Sequence, residues 1–281
     1  MISRVAPILL LVCVLALGNT GCAVQLEGAG AGGGVSGEVL PRTNRTKAME
    51  NFGQGNEFLR EQRYKKAISR YSKAIKEDPR FRDAYINRGI ANMELLRFDR
   101  ALPDFAEALE IGPANAEIYY NLGNAYSVQG QWQMAIKCYE KVLEMEAAHE
   151  GALNNLGNAL ASADRDGEAV AVFERYVDRF PDRARGYNNL GVAFEVSSKM
   201  PQAEAAYRTA IEVEPDSVEA YLNLANIRRK AGDPCGAMRL LSKFVHRVGD
   251  SDDLSKAKAQ GTMGKLLHKC PSEADLLNAL P

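Results

Sequence analysis

The sequence predicts an all-α chain, a solenoid of stacked helical hairpins closed at its C-terminal end by one further helix. Three observations carry this. The first is a pattern that returns every 34 residues: Tyr119, Leu122, Gly123, Tyr126, Ala135, Tyr139 and Val142 recur as Leu153, Leu156, Gly157, Leu160, Ala169, Phe173 and Tyr176. A further step gives Tyr187, Leu190, Gly191, Phe194, Ala203, Tyr207 and Ala210. A period of this size with a fixed pattern is the mark of a helical repeat array. The second is the order within each period, a glycine in the first half and an alanine in the second, both small enough to let two helices approach closely. The third is proline near the period's end, which stops a helix because it lacks an N–H and restricts the residue before it.

Six periods follow in register. The first, 48–81, has Gly55, Phe58, Ala67, Tyr71, Ala74 and Pro79; the second, 82–115, has Tyr85, Gly89, Ala101, Phe105, Ala108 and Pro113. The third to fifth occupy 116–149, 150–183 and 184–217, with Pro181 and Pro215 closing two and Ala147 replacing the proline of the third. The sixth, 218–251, is eroded, with Ala225 for glycine and Gly249 for proline. These residues resemble the tetratricopeptide repeat family, which implies a right-handed superhelix of helix-turn-helix units. Beyond Ser251 the period ends. Ser251 with Asp252, Asp253 and Leu254 reads as the start of a capping helix through Met263, Leu266 and Leu267 toward Lys269, broken by Pro271 before a short turn over 273–280. Solenoids need such a cover on the last unit.

A repeat array grows linearly, so the 281 residues set no count of globular domains. Hydrophobic residues make up 46% and charged residues 25%, which suits a folded body, and the net charge of −1 argues against nucleic acid as a partner. The N-terminus reads as a targeting segment over 1–21: Arg4, the apolar run 8–17, then Gly18, Asn19, Thr20 and Gly21 before Cys22. That run is too short to span a bilayer. The small residues before Cys22 resemble the lipobox of bacterial lipoproteins, which implies acylation of that cysteine. Asn19 departs from the leucine usual at its place, and the alternative is ordinary cleavage near Ala23 to give a soluble exported protein. Ala23 after the cysteine implies, by resemblance to enteric sorting, the outer membrane. Residues 22–47 form a linker whose Gly28–Gly34 stretch lacks the strand and helix of a phosphate loop; the 24 residues 23–46 within it span on the order of 25–30 Å.

Of five cysteines, Cys13 leaves with the leader and Cys138 falls mid-helix beside Tyr139 as a small buried side chain. Export permits disulfides, and Cys235 at the start of the last repeat's second helix faces Cys270 at the end of the cap as a candidate pair, although sequence does not fix connectivity. His149, His246 and His268 are isolated, without metal-ligand spacing. Ser255-Lys256-Ala257-Lys258 and Gly264-Lys265 lack the companion motifs that catalysis or nucleotide binding requires. No cofactor and no catalytic constellation is expected.

Family resemblance assigns the first helix of each repeat to the concave face, so the residues there are the candidate peptide-binding groove. Five repeats carry asparagine at the sixth place (Asn87, Asn121, Asn155, Asn189, Asn223) and four at the ninth (Asn56, Asn124, Asn158, Asn226), with Asn154 and Asn188 beside them. An amide both donates and accepts, so a row of them suits the backbone of an extended chain. This resembles the asparagine ladder of O-linked N-acetylglucosamine transferases, although asparagine at the sixth place is also family consensus. Repeats that clamp a terminal carboxylate are matched by Asn124, Asn155 and Arg185 but not by Tyr120 or Asn189, which stand where cations would be needed. With Phe52, Ile86, Tyr120 and Leu222 at the fifth place, the lining favours a neutral, partly apolar peptide or helix. The expectation is a membrane-tethered, periplasm-facing adaptor that binds a segment of another envelope protein, with architecture resembling the pilotins of type IV pilus or secretin assembly. Docking of cell-wall enzymes, self-association through the sixth repeat, and the regulatory part of an enzyme are the alternatives.

Overall fold

The structure, a computed structural model, describes residues 44–248 and 253–273. The expected leader, Cys22, the linker up to residue 43, the Ser251 cap and the final turn beyond Glu273 lie outside the described residues. Among those described are thirteen α-helices: α1 (Arg45–Arg60), α2 (Tyr64–Glu77), α3 (Arg82–Glu94), α4 (Phe98–Ile111), α5 (Ala116–Val128), α6 (Trp132–Met145) and α7 (Glu150–Ser162), continuing through α8 (Asp166–Arg179), α9 (Ala184–Val196), α10 (Met200–Val213), α11 (Val218–Lys230), α12 (Pro234–Val248) and α13 (Asp253–Leu266). Two short 3₁₀ turns, Leu267–Lys269 and Pro271–Glu273, follow, so the last turn expected of the capping helix is wound more tightly.

Each odd-numbered helix up to α11 forms a hairpin with the next. The turns share one geometry. Residues Gln62, Leu96, Gly130, Asp164, Ser198 and Gly232 all have left-handed φ, between 56° and 82°. The following N–H returns five residues to a carbonyl, as in Arg63 to Phe58, Gln131 to Tyr126 and Lys199 to Phe194. This satisfies the carbonyls that a helix end would otherwise leave orphaned. Helix starts are held by side chains: Asn44 accepts from the Lys47 N–H, Asn115 from Ile118, and Asp233 from Gly236. The first helix begins at Arg45, earlier than Ala48, because Asn44 supplies that cap. Pro79, Pro113, Pro181 and Pro215 each follow two residues after a second helix ends.

Within each hairpin the expected small residues set the approach. Ala67, Ala101, Ala135, Ala169, Ala203 and Ala237 have no exposed surface. An aromatic ring packs against the glycine of each of the first five hairpins: Tyr71 on Gly55, Phe105 on Gly89, Tyr139 on Gly123, Phe173 on Gly157 and Tyr207 on Gly191. A Cβ built on any of these glycines would stand at 2.5–2.8 Å from the ring, well inside contact distance. In the sixth hairpin Ala225 replaces glycine and Leu241 replaces the ring, so the larger residue faces the smaller one. A polar tie crosses the stack between the first two repeats: the two carboxylate oxygens of buried Asp104 share the Arg88 Nε–H, one of them also accepts at 2.6 Å from a terminal nitrogen, and Arg88 donates to Ser72 as well.

At the C-terminal end, α13 places Ala259, Met263 and Leu266 against Met238, Leu241, Phe244 and Val245 of α12. Cys235 and Cys270 are joined by a disulfide, with Cα atoms 5.4 Å apart. If the ring-on-glycine contact sets the helix spacing, replacing Gly157 by valine overpacks that hairpin and costs about 1–3 kcal/mol. Urea unfolding of the variant would show a lowered midpoint, and an unchanged midpoint would remove the contact from the account.

Candidate functional site

First helices of neighbouring repeats touch in succession: α1 with α3, α3 with α5, α5 with α7, and α9 with α11. Second helices of neighbouring repeats make no comparable contact. The first helices therefore crowd on the inside of the bend and form its hollow face.

The asparagines lie on this face, and most of them bond to one another. Asn87 donates to Asn56 at 2.9 Å and Asn155 donates to Asn124 at 2.9 Å, in each case from the sixth place of one repeat to the ninth of the repeat before. Asn189 donates to Asn154 at 2.9 Å and Asn223 to Asn188 at 3.0 Å. Asn154 in turn donates to Asn155 at 3.0 Å. An unbroken line of amides thus runs from Asn189 through Asn154 and Asn155 to Asn124, across the third, fourth and fifth repeats. The ladder expected to hold another chain spends much of its hydrogen-bonding capacity joining the protein's own helices.

The second-helix aromatic decides which ninth-place amides are engaged. Where it is tyrosine, the hydroxyl reaches over and donates to the amide: Tyr71 to Asn56 at 2.9 Å and Tyr139 to Asn124 at 2.8 Å. Phe173 has no hydroxyl, and Asn158 remains exposed without a side-chain hydrogen bond among the described residues. In the sixth repeat Leu241 holds the aromatic's place, and Asn226 instead accepts from Arg229 at 2.7 Å. Asn121 also lacks a partner among the described residues, because the ninth place of the preceding repeat is Ile90 rather than an amide.

Other expected lining residues divide. The Tyr120 hydroxyl accepts from Asn155 at 3.3 Å and its ring packs 4.8 Å from His149. Arg185 is exposed and faces Glu150 at 3.6 Å, and Glu150 already accepts from the Tyr176 hydroxyl at 2.7 Å. Ile86 is not a lining residue: it is 5% exposed and belongs to the core. Phe52 is likewise turned inward, tilted between Tyr71 and Phe81, and Leu222 packs on the C-terminal cluster. In their place the hollow face presents apolar residues that the sequence reading passed over: Met49, Val128, Val192 and Val196, which are 58%, 64%, 41% and 57% exposed. His149 is a helix cap, its Nδ1 accepting from the Ala152 N–H at 3.0 Å. Among the described residues no group of His, Cys, Asp and Glu is arranged to hold a metal, and no helix is long and apolar enough to cross a membrane. On the opposite side, a cleft of about 480 Å³ between α10, α11 and α12 has its main cation paired, Arg228 with Glu204 at 2.7 Å and with Asp233 at 3.4 Å.

The tetratricopeptide repeat family pattern matches residues 52–116, 116–147 and 188–251, together more than half of the chain. The chain belongs to that family. Among solved structures it is similar to YrrB, described as a TPR protein with an unusual peptide-binding site (23% identity, 63% of this chain and 91% of that one, TM-score 0.57). It is also similar to PilW, described as a widely conserved type IV pilus biogenesis factor (19%, 75% and 97%, TM-score 0.62), and to PilF of Pseudomonas aeruginosa (22%, 70% and 87%, TM-score 0.55). At these identities the likeness is one of fold. No curated protein matches the chain.

The buried second-helix tyrosines have a pH signature. Burial pushes the phenol of Tyr71 up to about 12 against the opposing Asn87 amide, and burial with help from Glu150 does the same for Tyr176. Burial also raises Tyr139 and Tyr207 above the ordinary value. An unfolded tyrosine ionises near pH 10. The folded state therefore holds a proton that the unfolded state has released, and this stabilisation is complete below pH 10 and lost as pH rises toward 12. Melting temperature should fall across that window, and Tyr71→Phe should flatten the fall while costing about 1 kcal/mol at neutral pH. Parallel melting curves for the two proteins from pH 9 to 11.5 would contradict the assignment.

Proposed function

We propose that this chain is a non-enzymatic adaptor, exported and tethered at Cys22, whose hollow face holds a segment of another envelope protein. The observation that carries the reading is the combination on the first helices of two uncommitted amides, Asn121 and Asn158, with exposed Val128, Val192 and Val196. Amides without partners meet a peptide backbone, and the valines supply the apolar contact that anchors a bound segment. The peptide-binding and pilus-biogenesis descriptions of YrrB and PilW support an interaction role, and PilW makes pilus assembly the first envelope system to examine. The Cys235–Cys270 bridge fits an oxidising compartment outside the cytoplasm.

The self-bonded amides sharpen the test. Changing Asn121 and Asn158 to alanine with Val128 and Val196 to serine should abolish partner capture in intact-cell crosslinking and leave the melting temperature nearly unchanged. Asn155→Ala should do the reverse, lowering stability by about 1–3 kcal/mol because it strands the donor of Asn154 and removes one of the two donors on the Asn124 carbonyl. Retained crosslinks in the folded first variant would rule out this face as the docking surface. The tether is tested separately. Cys22→Ser should move the protein from the membrane fraction to the soluble fraction, and unaltered acylation or retention counts against Cys22 as the anchor.

A further inference from the structure

The outer, second-helix row of the solenoid is unevenly charged. Helix α2 carries Lys65, Lys66, Arg70, Lys73 and Lys76 against the single acid Glu77. Helix α4 reverses this, with Asp99, Asp104, Glu107 and Glu110 against Arg100, and α8 sets four acids against Arg175 and Arg179. At about 100° per residue the five cations of α2 fall on one side, opposite Ala67, Tyr71 and Ala74, which are buried against the neighbouring helices. Lys65, Lys66, Lys73 and Lys76 are exposed and Arg70 is half-buried.

These charges are not neutralised locally. Among the described residues none of the five has an ion pair, and the acids flanking α2 along the chain are taken by other cations: Glu77 by Lys47 at 2.8 Å, Asp78 by Arg45 and Glu61 by Arg63 at 2.7 Å. The one further contact is the Lys66 ammonium 5.7 Å from the Phe58 ring. The other basic second helix, α12, is different, because its Arg239 pairs with Glu273 and its Arg247 with Asp216. The uncompensated basic face therefore belongs to the first repeat, the one joined to the segment that carries Cys22.

We infer that the α2 face of the first repeat docks on an anionic phospholipid surface. Helix α2 has no exposed large apolar residue, whereas protein interfaces are built around an apolar or aromatic centre. A bilayer headgroup surface asks only for positive charge, and lysines, as flexible point charges, suit scattered phosphates. Each cation near such a surface is worth about fivefold in affinity. Acidic α4 and α8 would be repelled, so the array would stand away from the bilayer on its first repeat. The inference rests on the membrane-tethered reading, although the face is testable without the anchor.

The test uses the full chain carrying Cys22→Ser, with vesicles of phosphatidylcholine alone and vesicles containing one-third phosphatidylglycerol, in about 0.15 M salt, where the Debye length is near 8 Å. Any apolar leader adds equally to both vesicle types and cancels in the comparison. The chain should sediment with the anionic vesicles in preference to the neutral ones, and this preference should disappear in about 1 M salt. Lys65→Gln/Lys66→Gln/Lys73→Gln/Lys76→Gln should reduce affinity for the anionic vesicles at least tenfold at an unchanged melting temperature. If that variant melts early, Lys65→Gln/Lys66→Gln alone should still reduce it severalfold. Equal sedimentation with both vesicle types, or a folded variant that binds like its parent, overturns the inference. Binding to poly-glutamate without a preference for anionic vesicles also overturns it and points to an acidic protein surface. Because Cys22 is already removed, none of these outcomes depends on whether acylation occurs there.

Discussion

The contact on which the structure depends is the aromatic ring laid against a glycine in the first five hairpins. Where the chain lacks a Cβ, the ring of the second helix fills the space, and the two helix axes come close enough to exclude water from the alanines beside them. The sixth hairpin shows that what is held constant is volume. Ala225 gains a methyl and Leu241 loses a ring, and both are still buried at about 2% or less. Interiors close-packed in this way respond to a single methylene, which is why the same pair recurs in five hairpins and changes together in the sixth.

That ring also governs the hollow face through one oxygen atom. Tyrosine and phenylalanine fill the glycine niche equally well, so packing does not distinguish Tyr139 from Phe173. The hydroxyl does, because it arrives at the rim of the niche beside the ninth-place amide. Tyr71 and Tyr139 bind Asn56 and Asn124, and those carbonyls then accept a second hydrogen bond from the next repeat. In the fifth repeat, where the ninth place is Val192, the Tyr207 hydroxyl turns to Glu195 at 3.2 Å instead. A half-buried amide with two donors on its carbonyl has only its N–H groups left to offer a ligand. The choice between tyrosine and phenylalanine in the second helix thus sets whether the ninth-place asparagine of the same repeat is held, as Asn56 and Asn124 are, or uncommitted, as Asn158 is.

Much of the architecture was legible in the sequence because each requirement is local to one period. The glycine, alanine and proline places mark close approach, close approach and helix end, and helices start at Arg82, Ala116, Glu150, Ala184 and Val218 in the structure. The candidate face was legible only in part. Counting asparagines finds the ladder but not its partners, since those come from the preceding repeat, 31 or 35 residues away, or from a hydroxyl on another helix. The signal that separates Asn124 from Asn158 was in the sequence, as Tyr139 and Phe173, but it acquires meaning only once the two helices are brought together. The fifth-place residues were misread for a related reason: a place that faces the hollow in the third repeat, where Tyr120 lies beside His149, is core in the second, where Ile86 packs inward.

The two ends of the array pose one problem and show two different chemistries. Every internal hairpin has neighbours on both sides, whereas a terminal one leaves a face without a continuing repeat. At the C-terminal end α13 supplies few apolar side chains, chiefly Ala259, Met263 and Leu266, so packing alone holds it weakly. The disulfide compensates: tying residues 35 apart restricts the unfolded chain by about 4 kcal/mol on the chain-entropy account. The first repeat has no such staple among its described residues. Its N-terminal boundary is polar, with Asn44 capping α1, buried Asn51 donating to the Lys47 carbonyl, and Asp78 and Glu77 drawn to Arg45 and Lys47. These ion pairs consume the acids at the end of α2 and leave its lysines uncompensated. The arrangement that closes the N-terminal end is therefore also the one that makes α2 a basic surface.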